Sequence, residues 1–302
     1  MRTPLARSSA AVFAALVFTA STDLPGRAQQ APLRERTLYV SAVDHAGEPV
    51  ERLGPDAFVV REDDVRREVL RVAKATEPID IALLVDNSSA ISDALIYVRG
   101  SLSSFVARMA PGNQMAIVAL ADRPTIFVDY TSDAGRLADG TRRVFPMPQS
   151  GMTLLDAIAE AAQGMARRET PRAVMVAVVT DGVEFTNRYS RDVVSAVRKA
   201  GAALHIVGVG RFVHSEEHGI RERSFLLTEG PRASGGGYAT LLSPTGLEPA
   251  MMRLARELSS QYKVVYSRPE SLIAPETVTV ASARAGVTMR GTPARLENGG
   301  RR

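Results

Sequence analysis

From residue 78 onward the chain alternates short apolar runs with amphipathic helical stretches. No other feature constrains its fold as tightly. Residues 79–85 and 173–180 are nearly continuous apolar runs, the pattern of strands buried on both faces. Residues 92–109 place Leu95, Val98, Leu102, Phe105 and Val106 on one side of a helix. Residues 152–167 do the same with Leu155, Ile158, Ala162 and Met165. The pattern predicts further strands at 115–121, 126–130, 203–209, 238–242 and 262–266. It predicts further helices at 192–200, 221–233 and 246–259, the second closed by Gly235-Gly236-Gly237. Strands that alternate with helices imply an α/β fold, a Rossmann-like doubly wound sheet, mostly parallel, with helices on both faces.

The flanks differ. Residues 29–77 are β-rich: a strand at 38–40, then two strand-like runs at 58–62 and 65–69 around Asp63-Asp64, a hairpin pattern. The tail, 268–302, returns to β character at 276–281 and 286–290, and 298–302 reads as disordered. Leader and tail each hold only two or three strands, too few to be stable alone. They are therefore expected to pair into one small β unit beside the α/β domain of 78–267.

Residues 1–28 have the pattern of a signal peptide. Arg2 and Arg7 give a basic start, 10–20 is an apolar run too short to span a bilayer, and Gly26-Arg27-Ala28 resembles a small-x-small cleavage site. Cleavage after Ala28 predicts a secreted or periplasmic protein. No later stretch reaches about 18 apolar residues, so no membrane span is expected after cleavage.

Composition excludes several functions. The chain has no cysteine, hence no disulfide, thiolate metal site or cysteine nucleophile. Its 37 basic residues are nearly all arginine and form no run of five or six, so nucleic-acid binding has no support. His214 and His218 are four apart but lack the His-Glu-x-x-His pattern of a zinc helix, and their segment reads as a solvated loop. No nucleophile with a base, and no second carboxylate pair, accompanies the acidic strand ends, so the chain is not expected to be an enzyme.

In open α/β sheets the site lies at the carboxyl ends of the strands. There the sequence places Asp86-Asn87-Ser88-Ser89-Ala90, Gly151-Met152-Thr153 and Thr180-Asp181-Gly182. Two carboxylates and two hydroxyls converge from three loops, without imidazole or thiolate. Such hard oxygen donors suit Mg²⁺ or Mn²⁺, kept partly hydrated. Singly, each has a structural reading as well: Asp86 and Asp181 as turn residues, Ser88 as the cap of the next helix.

These residues resemble the von Willebrand factor type A domain. Its metal-ion-dependent adhesion site has the pattern Asp-x-Ser-x-Ser, then a Thr, then an Asp at a later strand end. Asp86, Ser88, Thr153 and Asp181 match it, while Ala90 stands where the family has a ligating serine. The leader, with Asp56-x-Phe58-x-Val60-x-Glu62-Asp63, and Gln261-Tyr262-Lys263-Val264-Val265-Tyr266 resemble a bacterial exported subgroup, often labelled acidobacterial-type. The resemblance implies an exported binding module with a partly degenerate metal site. A protein partner would complete the coordination through an acidic side chain. The alternatives are a metal-independent scaffold with a non-functional site and, third, a metal-assisted hydrolase.

Overall fold

The computed structural model describes residues 33–168, 170–270, 273 and 275–293. The signal-peptide segment and the 298–302 tail lie outside the described residues.

The leader forms β1 (Leu33–Val43), β2 (Phe58–Glu62), β3 (Val65–Arg67) and β4 (Val69–Lys74). The α/β unit follows with β5 (Asp80–Val85), α1 (Leu95–Met109), β6 (Gln114–Ala119), β7 (Thr125–Thr131), α2 (Ala134–Arg142), α3 (Leu154–Arg168) and β8 (Ala173–Thr180). It continues through α4 (Ser190–Lys199), β9 (Ala202–Val209), α5 (His218–Ser234), β10 (Tyr238–Leu241) and α6 (Leu247–Ser259). The chain closes with β11 (Tyr262–Pro269), β12 (Val278–Ser282) and β13 (Thr288–Pro293).

The central sheet runs β10-β9-β8-β5-β6-β7. All neighbours are parallel except β6 and β7, which are antiparallel. Side chains alternate across a strand, and β5 shows the result. Ile81, Leu83 and Val85 enter one core with Leu102 and Phe105 of α1 and Met251 and Leu258 of α6. Ala82 and Leu84 enter the other with Leu155 and Ile158 of α3, Val193 of α4 and Leu226 of α5. Every residue of β5, β8 and β9 is buried. Among the described residues, no helix is long and apolar enough to cross a membrane.

Leader and tail do form one β unit. A four-stranded sheet, β13-β1-β11-β4, faces a three-stranded sheet, β12-β2-β3. Between them lie Leu38, Val40, Phe58, Val60, Tyr262, Val264, Tyr266 and Met289. The Asp63-Asp64 hairpin turn has φ of 46° and 64°, the two positive values that a two-residue type I′ turn requires.

Three expectations need correcting. β11 was expected to close the α/β domain, yet it pairs antiparallel with β1 and β4 and belongs to the β unit. Its buried Tyr262, Val264 and Tyr266 supply that unit's core. α2 was not expected at all. It is capped by Asp133, whose carboxylate accepts the N–H groups of Gly135 and Arg136. α5 starts earlier than predicted and passes through Gly230-Pro231 before stopping at Gly235, which has a left-handed conformation. The glycines there are sterically required. A Cβ on Gly235 would lie 2.2 Å from the Gly291 carbonyl oxygen of β13, and one on Gly236 1.9 Å from that of Leu204.

The two units meet along a polar seam. Arg290 of β13 pairs with Glu257 of α6 at 2.6 Å. The Gln261 amide donates to Ser41 Oγ at 3.1 Å, and the Thr292 hydroxyl to the Ser234 carbonyl at 2.8 Å.

Candidate functional site at the strand ends

The ladder between β5 and β8 continues one residue past β5, because the Asp86 N–H donates to the Val178 carbonyl. This fixes Asp86 at the sheet edge, 1% exposed. Its Oδ1 accepts the Ser88 N–H at 2.8 Å, and its Oδ2 accepts the Thr180 N–H at 3.1 Å and the Thr180 hydroxyl. Asn87 turns the other way. Its Oδ1 accepts the N–H groups of Leu120 and Ala121 at 3.0 and 2.9 Å, locking the end of β6 to the same loop.

Thr153 comes from a loop stitched between its neighbours. Met152 bridges Ala121 on one side and Glu184 on the other. The Thr153 N–H and hydroxyl both donate to the Leu120 carbonyl, at 2.9 and 2.8 Å, leaving the hydroxyl's lone pairs free to accept. Glu184 lies beneath this loop. Its carboxylate accepts the first N–H groups of α3, from Leu154 at 3.1 Å and Leu155 at 3.3 Å. Burial nevertheless pushes its pKa up to about 8, against those two bonds.

Asp181 is the exposed member of the set. Its Oδ2 accepts the Arg211 N–H at 2.8 Å, and its carboxylate lies against Gly210. Gly210 has φ of 120°, and a Cβ there would meet the Asp181 Cγ at 2.4 Å. The next residue, Gly182, marks where the loops converge. A Cβ built on it would lie 2.8 Å from Ala90 Cβ, 3.3 Å from Ser88 Oγ and 3.6 Å from Thr180 Oγ1. Ser88 precedes the 3₁₀ turn Ser89–Ala94 but makes no side-chain cap. Its Oγ is buried with no hydrogen-bond partner.

Asp86 and Ser88 are thus in one cluster with Thr180 and Gly182. Asp181 adjoins it along the chain, and Thr153 stands on the neighbouring loop. Ala90 lines the same cluster and presents a methyl group. His218 begins α5, whereas His214 sits in the loop before it, so the two do not share a helix face. Among the described residues, no group of three or more His, Asp or Glu side chains gathers as a metal site.

Two residues of this region escaped the sequence reading. Thr180 follows seven apolar residues, so the only polar position of β8 was legible as a strand end but not as a partner of Asp86. Arg223 had a sharper signal. It shares the buried face of α5 with Leu226, Leu227 and Gly230, an arginine at a core position.

Around the cluster the surface is apolar and open. Phe145, Met147, Val183 and Phe185 are 60%, 44%, 48% and 52% exposed, an unusual density for large apolar side chains on two adjacent loops. The Met147 N–H donates to the Asn87 carbonyl, which sets that loop against the site. Beside Thr153 lies an acidic cleft of about 700 Å³, lined by Asp122, Asp156, Glu160, Glu184 and Glu217 among others.

Residues 81–184 match the family model of the von Willebrand factor type A domain. No curated protein matches the chain. Among solved structures, the vWF domain of the type V pilus tip protein Mfa5 from Porphyromonas gingivalis is 14% identical, covering 60% of this chain and 95% of that one, with a TM-score of 0.47. A von Willebrand factor type A protein from Catenulispora acidiphila is 10% identical over 89% of this chain and 75% of its own, with a TM-score of 0.49. Proximal thread matrix protein 1 from the mussel byssus is 20% identical over 66% of this chain and 50% of its own, again with a TM-score of 0.49. The matched segment runs from β5 to the loop after β8, and so contains all three site loops within the mostly parallel sheet and its covering helices. The α/β unit of this chain thus has the fold of a von Willebrand factor type A domain, and residues 81–184 within it match that family.

Proposed function

We propose that this protein is an exported interaction module that binds a protein partner through the strand-end face around Asp86. The observation that carries the cation part of this reading is the buried Ser88 hydroxyl without a partner. A buried polar atom left unmatched costs stability. Here it stands beside a carboxylate whose hydrogen bonds come from fixed protein donors. Asp86, Ser88, Thr153 and Asp181 form a donor set that fits a hard divalent cation, Mg²⁺ or Mn²⁺. Bound there, the ion would supply a Lewis-acidic position open to a carboxylate of the partner. The residues themselves do the positioning. Thr180 and the Ser88 N–H hold Asp86 in place, and the Gly210-Arg211 backbone holds Asp181. The exposed Phe145, Met147, Val183 and Phe185 supply apolar contact area around that point.

Ala90 favours a second reading, a metal-independent scaffold that uses the same apolar rim. Its methyl group lies where the family places a ligating hydroxyl, so a water must fill that position, and binding would be weak. Calorimetry with Mg²⁺ and Mn²⁺ separates the two readings. Wild type should bind weakly, Ala90→Ser more tightly, and Asp86→Ala not at all. If neither wild type nor Ala90→Ser gives heat at millimolar metal, the scaffold reading replaces the first. The export part rests on residues 1–28 and is tested separately, by an intact mass of the exported protein that begins near Gln29.

A further inference from the structure

Arg223 is the largest side chain in the described structure to be fully buried, 1% exposed. Its Nη1 donates to the Gly182 carbonyl, the residue directly after Asp181. Its guanidinium lies 5.4 Å from the Phe212 ring centroid, and its Nε has no partner. Among the described residues, no carboxylate forms an ion pair with it. Yet the carbonyl it holds is one residue from Asp181, in a loop that meets Ser88 and Thr180 around Asp86, so the charges of Asp181 and Asp86 act on it across that loop. Glu184, also nearby, keeps its proton up to about pH 8. A buried cation without a direct ion pair is costly, and an arginine does not escape by losing its proton. The charge is therefore compensated at a distance, through the floor of the site, by the site's own Asp181 and Asp86.

We propose that Arg223 is the resident counter-charge of the strand-end site. It neutralises Asp86 and Asp181 when no divalent ion is bound, and it lowers the affinity for such an ion by competing for the same carboxylates. This rests on the cation-site reading above for its second half only. In physical terms, the site carries a permanent monovalent cation in its floor. Two carboxylates then face a divalent ion as a partly neutralised pair. Loss of the ion leaves no bare repulsion, so the fold does not depend on metal. Together with Ala90, this makes occupancy conditional on a partner that brings a further negative charge.

The test uses the full mature chain in chelator. Asp181→Asn keeps an oxygen able to accept from Arg211 and removes one charge. Without a counter-charge, that change relieves repulsion between Asp86 and Asp181 and raises Tm. With Arg223 as counter-charge, it lowers Tm by about 3 °C or more. An unchanged or raised Tm overturns the proposal. A double-mutant cycle of Asp86→Asn with Arg223→Met cancels the hydrogen bonds that Asp86 loses in both backgrounds. The proposal expects clear non-additivity, and additive effects overturn it. The Asp181→Asn arm leaves Arg223 in place, so the proposal stays testable if Arg223→Met does not fold. Mg²⁺ titrations complete the set. Arg223→Met should bind at least about tenfold more tightly than wild type, and Arg223→Lys should stay near wild type. Where Mg²⁺ binds, equal affinities with and without Arg223 overturn the proposal. If wild type, Ala90→Ser and Arg223→Met all fail to bind Mg²⁺ while the chelator measurements hold, the cation-site reading falls and the counter-charge role stands.

Discussion

The hydroxyl of Thr180, the last residue of β8, donates to Oδ2 of Asp86, the first residue beyond β5. One side chain thus closes the gap between two neighbouring strand ends and fixes the orientation of the buried carboxylate. A hydrogen bond to a charged group in such a place contributes roughly 1.5–3 kcal/mol. Thr180→Val preserves the shape and the β propensity and removes only that donor. It should lower unfolding stability by about 2 kcal/mol, read from urea midpoints. A loss no larger than that of an exposed Thr→Val change would show that Thr180 does not hold Asp86.

The pairing of leader and tail gives a second prediction. β12 covers β2 and β13 covers the outer side of β1. Deleting residues 270–302 removes both strands and exposes Val40 and Val60, now fully buried. The leader should then be cut by protease much sooner than in the intact protein, while the α/β unit keeps its protection. Equal protection of the leader with and without the tail would refute the coupling.

Two buried titratable groups shape the pH dependence. Burial raises the Glu184 carboxyl from 4.5 to about 8. The folded protein keeps that proton across a range where the unfolded chain has lost it, so stability falls as pH rises from about 4.5 to about 8. Burial lowers His205 from 6.5 to about 4. The unfolded chain takes up that proton first, so stability falls as pH drops from about 6.5 to about 4. The two slopes oppose each other below pH 6.5, and Glu184 acts alone above it. Between pH 6.5 and 8.5 wild type should lose on the order of 1–3 kcal/mol, and Glu184→Gln should show a flat profile. Parallel profiles for the two proteins would rule out Glu184 as the source.

Backbone approach at the end of α5 gives the fourth. Gly236 lies so close to Leu204 of β9 that a methyl group must displace a strand in the middle of the sheet. Gly236→Ala should cost several kcal/mol, on the order of 3 or more, and lower Tm by roughly 6 °C or more. Gly112→Ala is the control: it carries the strain of a positive φ that Gly236 lacks, but nothing lies near its Cβ position, and it should cost only about 1 kcal/mol. Equal losses at the two positions would mean that the close approach is not what matters.

Sequence pattern carried most of the α/β unit because its strands are buried on both faces and its helices on one. The apolar runs of β5, β8 and β9 leave no other reading. α2 was illegible because Gly135, Gly140 and Thr141 are poor helix formers, and a Cβ on Gly140 would lie 2.3 Å from Val128. Its helical state is imposed by packing on β6 and β7. β11 was read as a strand but put in the wrong sheet, since strand periodicity does not name a partner. In the site, Asp86, Ser88, Thr153 and Asp181 were legible as strand-end and loop residues in a familiar order. What surrounds them was not. Thr180 and Arg223 act through tertiary approach across more than forty residues of chain, and only the oddity of an arginine among leucines on α5 hinted at one of them.

The antiparallel pairing of β1 with β13 sets Leu38 opposite Pro293. The amino end of β1 and the carboxyl end of β13 therefore leave the β unit in the same direction. A pulling force applied to both ends loads this one sheet first, together with the bonds that Arg290 and Thr292 of β13 make to the α/β unit. It opens the pair like a zipper, one rung at a time, which is the weak direction of a sheet. The strand-end face around Asp86 would keep its shape under load until that fastening gives way, and only then would the force reach it.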